Sequence, residues 1–64
     1  MLKITLAAAR VNAGLRQNEV AKALGVSVRT LVRWEKGLSL PDARQIEKIC
    51  ELYGIAYEAI NFTP

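Results

Sequence analysis

Histidine is absent from this chain and cysteine occurs once, at Cys50. That removes zinc-type His/Cys metal sites, Cys–His nucleophile pairs and any intramolecular disulfide. With the usual catalytic groups missing, the chain reads as a non-enzyme that needs no metal and no cofactor. A lone thiol suits a reducing compartment, and Cys50 is assigned to the core. Long apolar runs are missing too. The stretch Ile4 to Ala9 is interrupted by Arg10 before it becomes a signal core, and nothing approaches the roughly 20 residues of a membrane span. The expectation is a cytoplasmic protein with no membrane partner.

What remains is small and well balanced. The 64 residues allow a single domain, residues 1–64, because chains of this size bury only about 60% of the surface that their unfolded form exposes. A hydrophobic fraction of 52% against 23% charged is globular and far from disorder, so a compact core is within reach. The net charge of +3 is unevenly placed. Residues 1–37 carry seven basic side chains (Lys3, Arg10, Arg16, Lys22, Arg29, Arg33, Lys36) and two acidic ones (Glu19, Glu35), a balance of +5. Residues 38–64 carry two basic and four acidic groups, a balance of −2. A basic half joined to an acidic half suggests that one end meets nucleic acid or another anionic surface.

Glycine punctuates the chain at Gly14, Gly25, Gly37 and Gly54, each after a segment of helical length. Glycine closes helices in the left-handed conformation, and these spacings match neither a phosphate-binding loop nor a repeat. The first segment, about Thr5 to Ala13, places Leu6, Ala9, Arg10 and Ala13 on one side. The second, about Gln17 to Leu24, groups Val20, Ala21 and Leu24, with Glu19 in its first turn. The third, Val28 to Lys36, has Ser27 as its N-cap and Leu31, Trp34 and Glu35 on one face. Asp42 and Gln45 have the spacing of a reciprocal capping box at the start of a fourth helix ending at Tyr53, lined by Ile46, Ile49, Cys50 and Tyr53. A fifth short helix, about Ala56 to Asn61, is expected to fold Ile55, Ile60 and Phe62 over the core. Its N-cap position holds Ala56, a poor capper, so its start should fray.

Two short helices joined by Leu24-Gly25-Val26-Ser27 have the form of a helix-turn-helix, whose second helix is built to enter a DNA major groove. Gln17, Val20, Ala21, Leu24, Gly25, Val26, Leu31, Trp34 and Glu35 together resemble the phage repressor and Cro-like family, the xenobiotic-response-element type. Arg10, Gly14-Leu15, the Trp34-Glu35-x-Gly37 ending, Pro41 and Tyr53-Gly54-Ile55 extend the resemblance over about residues 6 to 61. It implies an all-α domain of five helices, the lambda-repressor-like fold, with the motif at about 17–36, that binds operator DNA and often acts as a dimer. In such a dimer two recognition helices lie about 34 Å apart and read a near-palindromic operator. Arg16 departs from the pattern, standing where a serine or threonine N-cap is usual, which predicts a poorly anchored second helix.

With Leu31 taken as inward, Arg29, Arg33 and Lys36 fall on the opposite face of the third helix, flanked by Thr30 and Val32. Val28, Arg29, Thr30, Val32 and Arg33 are the candidate base-contacting residues. Arginine pairs with guanine O6 and N7, and valine at a flank meets a thymine methyl; a solvated basic face and edge-of-core valines are the plainer alternatives. Arg16, Gln17, Lys36, Ser39 and Arg44 are the candidate phosphate contacts, Gln17 by the resemblance and its place at a helix N-terminus. The resemblance also implies an internal bridge between Arg10 and Glu35. Trp34 and Tyr53 read as core residues, not as stacking platforms. Ile55, Tyr57, Ile60 and Phe62 are candidates either for a dimer contact or for closing the core.

The leading expectation is a sequence-specific regulator of double-stranded DNA, acting as a repressor. Two others stay open: a protein-interaction module such as an antitoxin-like partner, and a ribbon-helix-helix regulator using Lys3 to Leu6 as its ribbon.

Overall fold

The computed structural model describes residues 2–63. Its four α-helices are α1 (Leu6–Asn12), α2 (Gln17–Leu24), α3 (Val28–Glu35) and α4 (Ala43–Tyr53). Two-residue strands flank them, β1 (Ile4–Thr5) and β2 (Ile60–Asn61), and a single 3₁₀ turn, Tyr57–Ala59, precedes β2.

Local chemistry accounts for the helix starts. Thr5 is the N-cap of α1, its Oγ1 accepting from Ala8 N at 3.1 Å, so α1 begins one residue after it. Ser27 Oγ accepts from Thr30 N at 3.1 Å, and Asp42 Oδ1 accepts from Gln45 N at 2.9 Å. The expected box at α4 is only half made. Gln45 turns away from Asp42, and its Nε2 donates to the Leu24 carbonyl at 3.3 Å, tying α4 to the end of α2. At α2 the other half of such a box is present. Arg16 supplies no capping oxygen, but Glu19 Oε1 accepts from Arg16 N at 2.8 Å and Asn18 Oδ1 accepts from Glu19 N at 3.0 Å. Carboxylate and amide thus replace the hydroxyl missing at Arg16. At the far end Gly25, at φ +71°, reverses the chain, and Val26 N donates to Ala21 O at 3.0 Å. A Cβ on Gly25 would meet nothing within 4 Å, so backbone angle and not space calls for glycine there.

Leu6, Val20, Leu31 and Ile49, one from each helix, are the most buried large side chains. Trp34 and Tyr53 pack against them in the same core. The fifth helix expected over Ala56 to Asn61 does not form: one 3₁₀ turn leads into extended Ile60, which pairs in parallel with Ile4 while Asn61 pairs with Thr5. The reason is physical. Six residues without a cap cannot repay helix nucleation, whereas pairing with β1 satisfies the backbone and lets Ile60 enter the core at 2% exposure. Ile60 therefore closes the core and is not available for a dimer contact. The extended segment of the ribbon reading amounts to Ile4 and Thr5, engaged with this chain's own end, because Leu6 is already helical.

The first three helices are joined by an ionic cluster. Arg10 Nε of α1 meets Glu35 Oε2 of α3 at 2.7 Å, with exposures of only 14% and 7% for the two side chains. Arg10 Nη1 also donates to the Leu15 carbonyl at 2.9 Å, and Gln17 Nε2 of α2 donates to Glu35 Oε1 at 3.0 Å. Removing one member leaves the other charge nearly buried and unpaired, so Glu35→Ala should lower the unfolding free energy by about 3 kcal/mol. Urea titration of the wild type, Glu35→Ala and Arg10→Ala measures this. A loss below about 1 kcal/mol would rank the pair with exposed bridges.

Tyr53 lies beside this cluster. Burial and the Glu35 carboxylate push its phenol up to about 12, against an opposing pull from Arg10. The buried Tyr53 hydroxyl has no hydrogen-bond partner among the described residues. Because the folded value exceeds the unfolded value near 10, stability owed to this group is intact below pH 10 and is lost as pH rises toward 12. That loss is on the order of 2 kcal/mol. Tyr53→Phe should be within about 1 kcal/mol of the wild type at pH 7 and lack this component of the alkaline loss, measured by denaturation at pH 9 and pH 11.5.

Candidate nucleic-acid interface

The candidate interface centres on α3, which is only eight residues long, too short to persist alone. It is held from below by Leu31, fully buried, and Trp34, 7% exposed. Ala21, small and buried, sits in the α2 segment that leads into the turn. With Leu31 and Trp34 inward, Val28, Arg29, Arg33 and Lys36 are exposed, and Thr30 and Val32 are half-buried on the flanks. Edge-of-core packing thus applies more to Val32 than to Val28, which is 41% exposed. Thr30 is also engaged locally, its Oγ1 lying 3.0 Å from Ser27 Oγ at the helix start.

The candidate phosphate contacts stand in different elements around α3. Arg16 is exposed immediately before α2, Lys36 is exposed at the end of α3, and Arg44 is exposed in the first turn of α4. Ser39 is half-buried in the connection between α3 and α4. Gln17 is not a loose surface amide: it is half-buried, and its hydrogen bond to Glu35 fixes it at the first residue of α2. Sequence reasoning missed that bond, although both residues had been singled out. It also missed Leu38 and Leu40, at 61% and 63% exposure in the same connection as Ser39. Helical periodicity says nothing about residues between helices, so no signal marked them.

Charge divides as the sequence arithmetic implies. The one carboxylate of α3, Glu35, is occupied by Arg10 and Gln17. Asp42, Glu47, Glu51 and Glu58 are all exposed, and none belongs to α2 or α3. The remaining candidates lie near the chain end. Ile55 is half-buried, and Tyr57 is exposed with its ring 5.8 Å from that of the half-buried Phe62. Ile55 and Tyr57 border an open apolar depression of about 520 Å³ shared with Ile46 and Cys50. Cys50 is half-buried, and burial together with Glu58 raises its thiol pKa, which disfavours the thiolate. Among the described residues no group of three histidine, cysteine or acidic side chains is placed to hold a metal, and no helix is long and apolar enough to cross a membrane.

A family model described as "Helix-turn-helix" matches residues 6–60. Over 46 residues the chain is 39% identical to the cryptic phage CTXphi transcriptional repressor RstR of Vibrio cholerae. That match spans 72% of this chain and 41% of the RstR chain. No solved structure matches the chain significantly. The match from Leu6 to Ile60 takes in all four helices and the turn at Gly25, and the chain belongs to the helix-turn-helix family.

Proposed function

We propose that this protein is a sequence-specific transcriptional repressor of the Cro type that binds double-stranded DNA by inserting α3 into the major groove. The single observation that carries the reading is the outer face of α3, where Arg29, Arg33 and Lys36 are exposed and the only carboxylate is neutralised. The similarity to RstR, a transcriptional repressor, supports it. Val28, Arg29, Thr30, Val32 and Arg33 face the bases. Arg16, Lys36, Ser39 and Arg44 hold phosphates, and Gln17, fixed by Glu35, offers its second amide hydrogen to a phosphate at the start of α2.

Two copies bind together, with two α3 helices about 34 Å apart on a near-palindromic operator. Ile55, Tyr57 and Phe62 supply the contact between copies, since Ile55 and Tyr57 line the apolar depression and the half-buried Phe62 stacks beside Tyr57. The protein works where the DNA is, in the cytoplasm, and performs no catalysis. An antitoxin-like interaction module is disfavoured because it leaves the basic face of α3 without a purpose.

Selection from a randomised duplex library, followed by fluorescence anisotropy across a salt series, tests the reading. A family of related sequences should be enriched, and log K should fall steeply with log salt. Arg33→Ala should weaken the selected duplex by roughly 5- to 150-fold while leaving nonspecific binding nearly unchanged. Lys36→Ala should instead weaken both and reduce the salt slope by about one. No enrichment, together with an Arg33→Ala protein indistinguishable from wild type, would overturn the proposal.

A further inference from the structure

The outer face of α3 offers very few kinds of chemistry to a base edge. Its sequence from Val28 to Lys36 contains no asparagine, glutamine or aspartate, and its single glutamate, Glu35, is turned inward to Arg10 and Gln17. Amide side chains are the bidentate partners of adenine, and carboxylates accept from the cytosine amino group. Neither is available along α3. Thr30, half-buried, carries the one hydroxyl of the helix, 3.0 Å from Ser27 Oγ at the cap, and a hydroxyl both donates and accepts, so it selects no single base edge. Lys36 is the C-cap, one residue past the end of the helix, and belongs to the phosphate contacts of the proposed function. The groups left with a base preference of their own are the two exposed guanidinium groups, Arg29 and Arg33, the methyl groups of the exposed Val28 and, at the flank, those of the half-buried Val32.

Guanidinium forks match guanine O6 and N7, and the apolar surface of valine matches only the C5 methyl of thymine among the major-groove edges. Arg29 and Arg33 are four residues apart, as are Val28 and Val32, so each kind of group forms its own row along the helix surface. The two rows run side by side, one residue out of step. A base step presenting guanine and thymine together satisfies both rows at once.

We propose that α3 reads its operator with a two-letter chemistry, guanine through Arg29 and Arg33 and the thymine methyl through Val28 and Val32, with no readout of adenine or cytosine by an amide or a carboxylate. The proposal rests on DNA being the ligand of this face, and it specifies which base edges that face recognises. It also separates the arginines in role from Arg16 and Arg44, whose contacts would be indifferent to sequence.

The probe is the duplex enriched from a randomised library, resynthesised with single-atom changes in the major groove. Replacing one guanine with 7-deazaguanine removes the N7 acceptor, and replacing one thymine with uracil removes only the methyl. Each arginine-read guanine should lose roughly 5- to 100-fold in affinity on 7-deaza substitution. Each valine-read thymine should lose about threefold to fourfold on conversion to uracil. Assignment comes from variants at exposed positions. Arg33→Ala should abolish sensitivity to 7-deazaguanine at one position of each half-site, and Arg33→Lys should restore only part of it because the fork is lost. Val28→Ala should abolish sensitivity to uracil at a neighbouring position.

An enriched duplex whose affinity is unchanged by both analogues, or whose Arg33→Ala variant keeps the full analogue response at every guanine, overturns the two-letter readout while leaving DNA recognition intact. A library that yields no enriched duplex overturns DNA recognition itself, and the readout with it.

Discussion

The carboxylate of Glu35 is the group on which the placement of the three N-terminal helices depends. It sits in the last turn of α3 at 7% exposure and receives Arg10 from α1 and Gln17 from α2. A carboxylate so far out of water is tolerated only if its oxygens are hydrogen-bonded and its charge is matched. Each oxygen here has a donor, and Arg10 spends a further N–H on the Leu15 carbonyl just before α2. Apolar contacts between helices tolerate some sliding and rotation, whereas bonds of 2.7 to 3.0 Å do not. The cluster therefore fixes how α3 is turned about its own axis, and hence which side chains point away from the protein.

That constraint matters because every element here is short. None of the first three helices exceeds eight residues, and helices of that length gain little from propensity. They persist because caps satisfy their ends and because Leu6, Val20, Leu31 and Ile49 bury one another. The parallel pairing of Ile4 with Ile60 adds a clasp between the two ends of the chain, and Ile60 completes the core that Leu6 and Ile49 begin. A fifth helix would have buried the same isoleucine. The short strand does so while giving the backbone of β1 a partner.

Much of this was legible in the residues. The bounds of α2, the caps at Ser27 and Asp42, and the inward direction of Leu31 and Trp34 follow from patterns three and four residues long. What the sequence did not disclose involves partners distant along the chain. Gln45 has the correct spacing to return to Asp42, but the Leu24 carbonyl twenty-one residues away competes for its amide. Gln17 reads as a phosphate contact at a helix N-terminus, and nothing local signals its bond to Glu35 eighteen residues away. The two-residue pairing across 56 positions leaves no periodicity at all, so nothing in the run Ala56 to Asn61 signals a strand in place of the expected fifth helix. The outer face of α3 was legible as a list of side chains. The second partner of Glu35, Gln17, and the contact of Thr30 with Ser27 were not.

The same engagement decides how a modest net charge is distributed around α3. Arg10 and Glu35 cancel, so the balance of +5 over residues 1–37 is carried by six remaining basic side chains against Glu19. At physiological salt a charge is felt over about 8 Å, and the molecule is 31 Å along its longest axis. A phosphate beside α3 responds to the groups near it and little to carboxylates at the far side. Summing the whole chain to +3 averages over a distance that the solvent does not transmit. Had Glu35 pointed outward, it would have stood within one helical turn of Lys36 and Arg33 and diminished the field where it is needed. Burying that carboxylate against Arg10 thus does two things with one contact: it locks the orientation of α3, and it removes the only negative charge from the face that α3 presents.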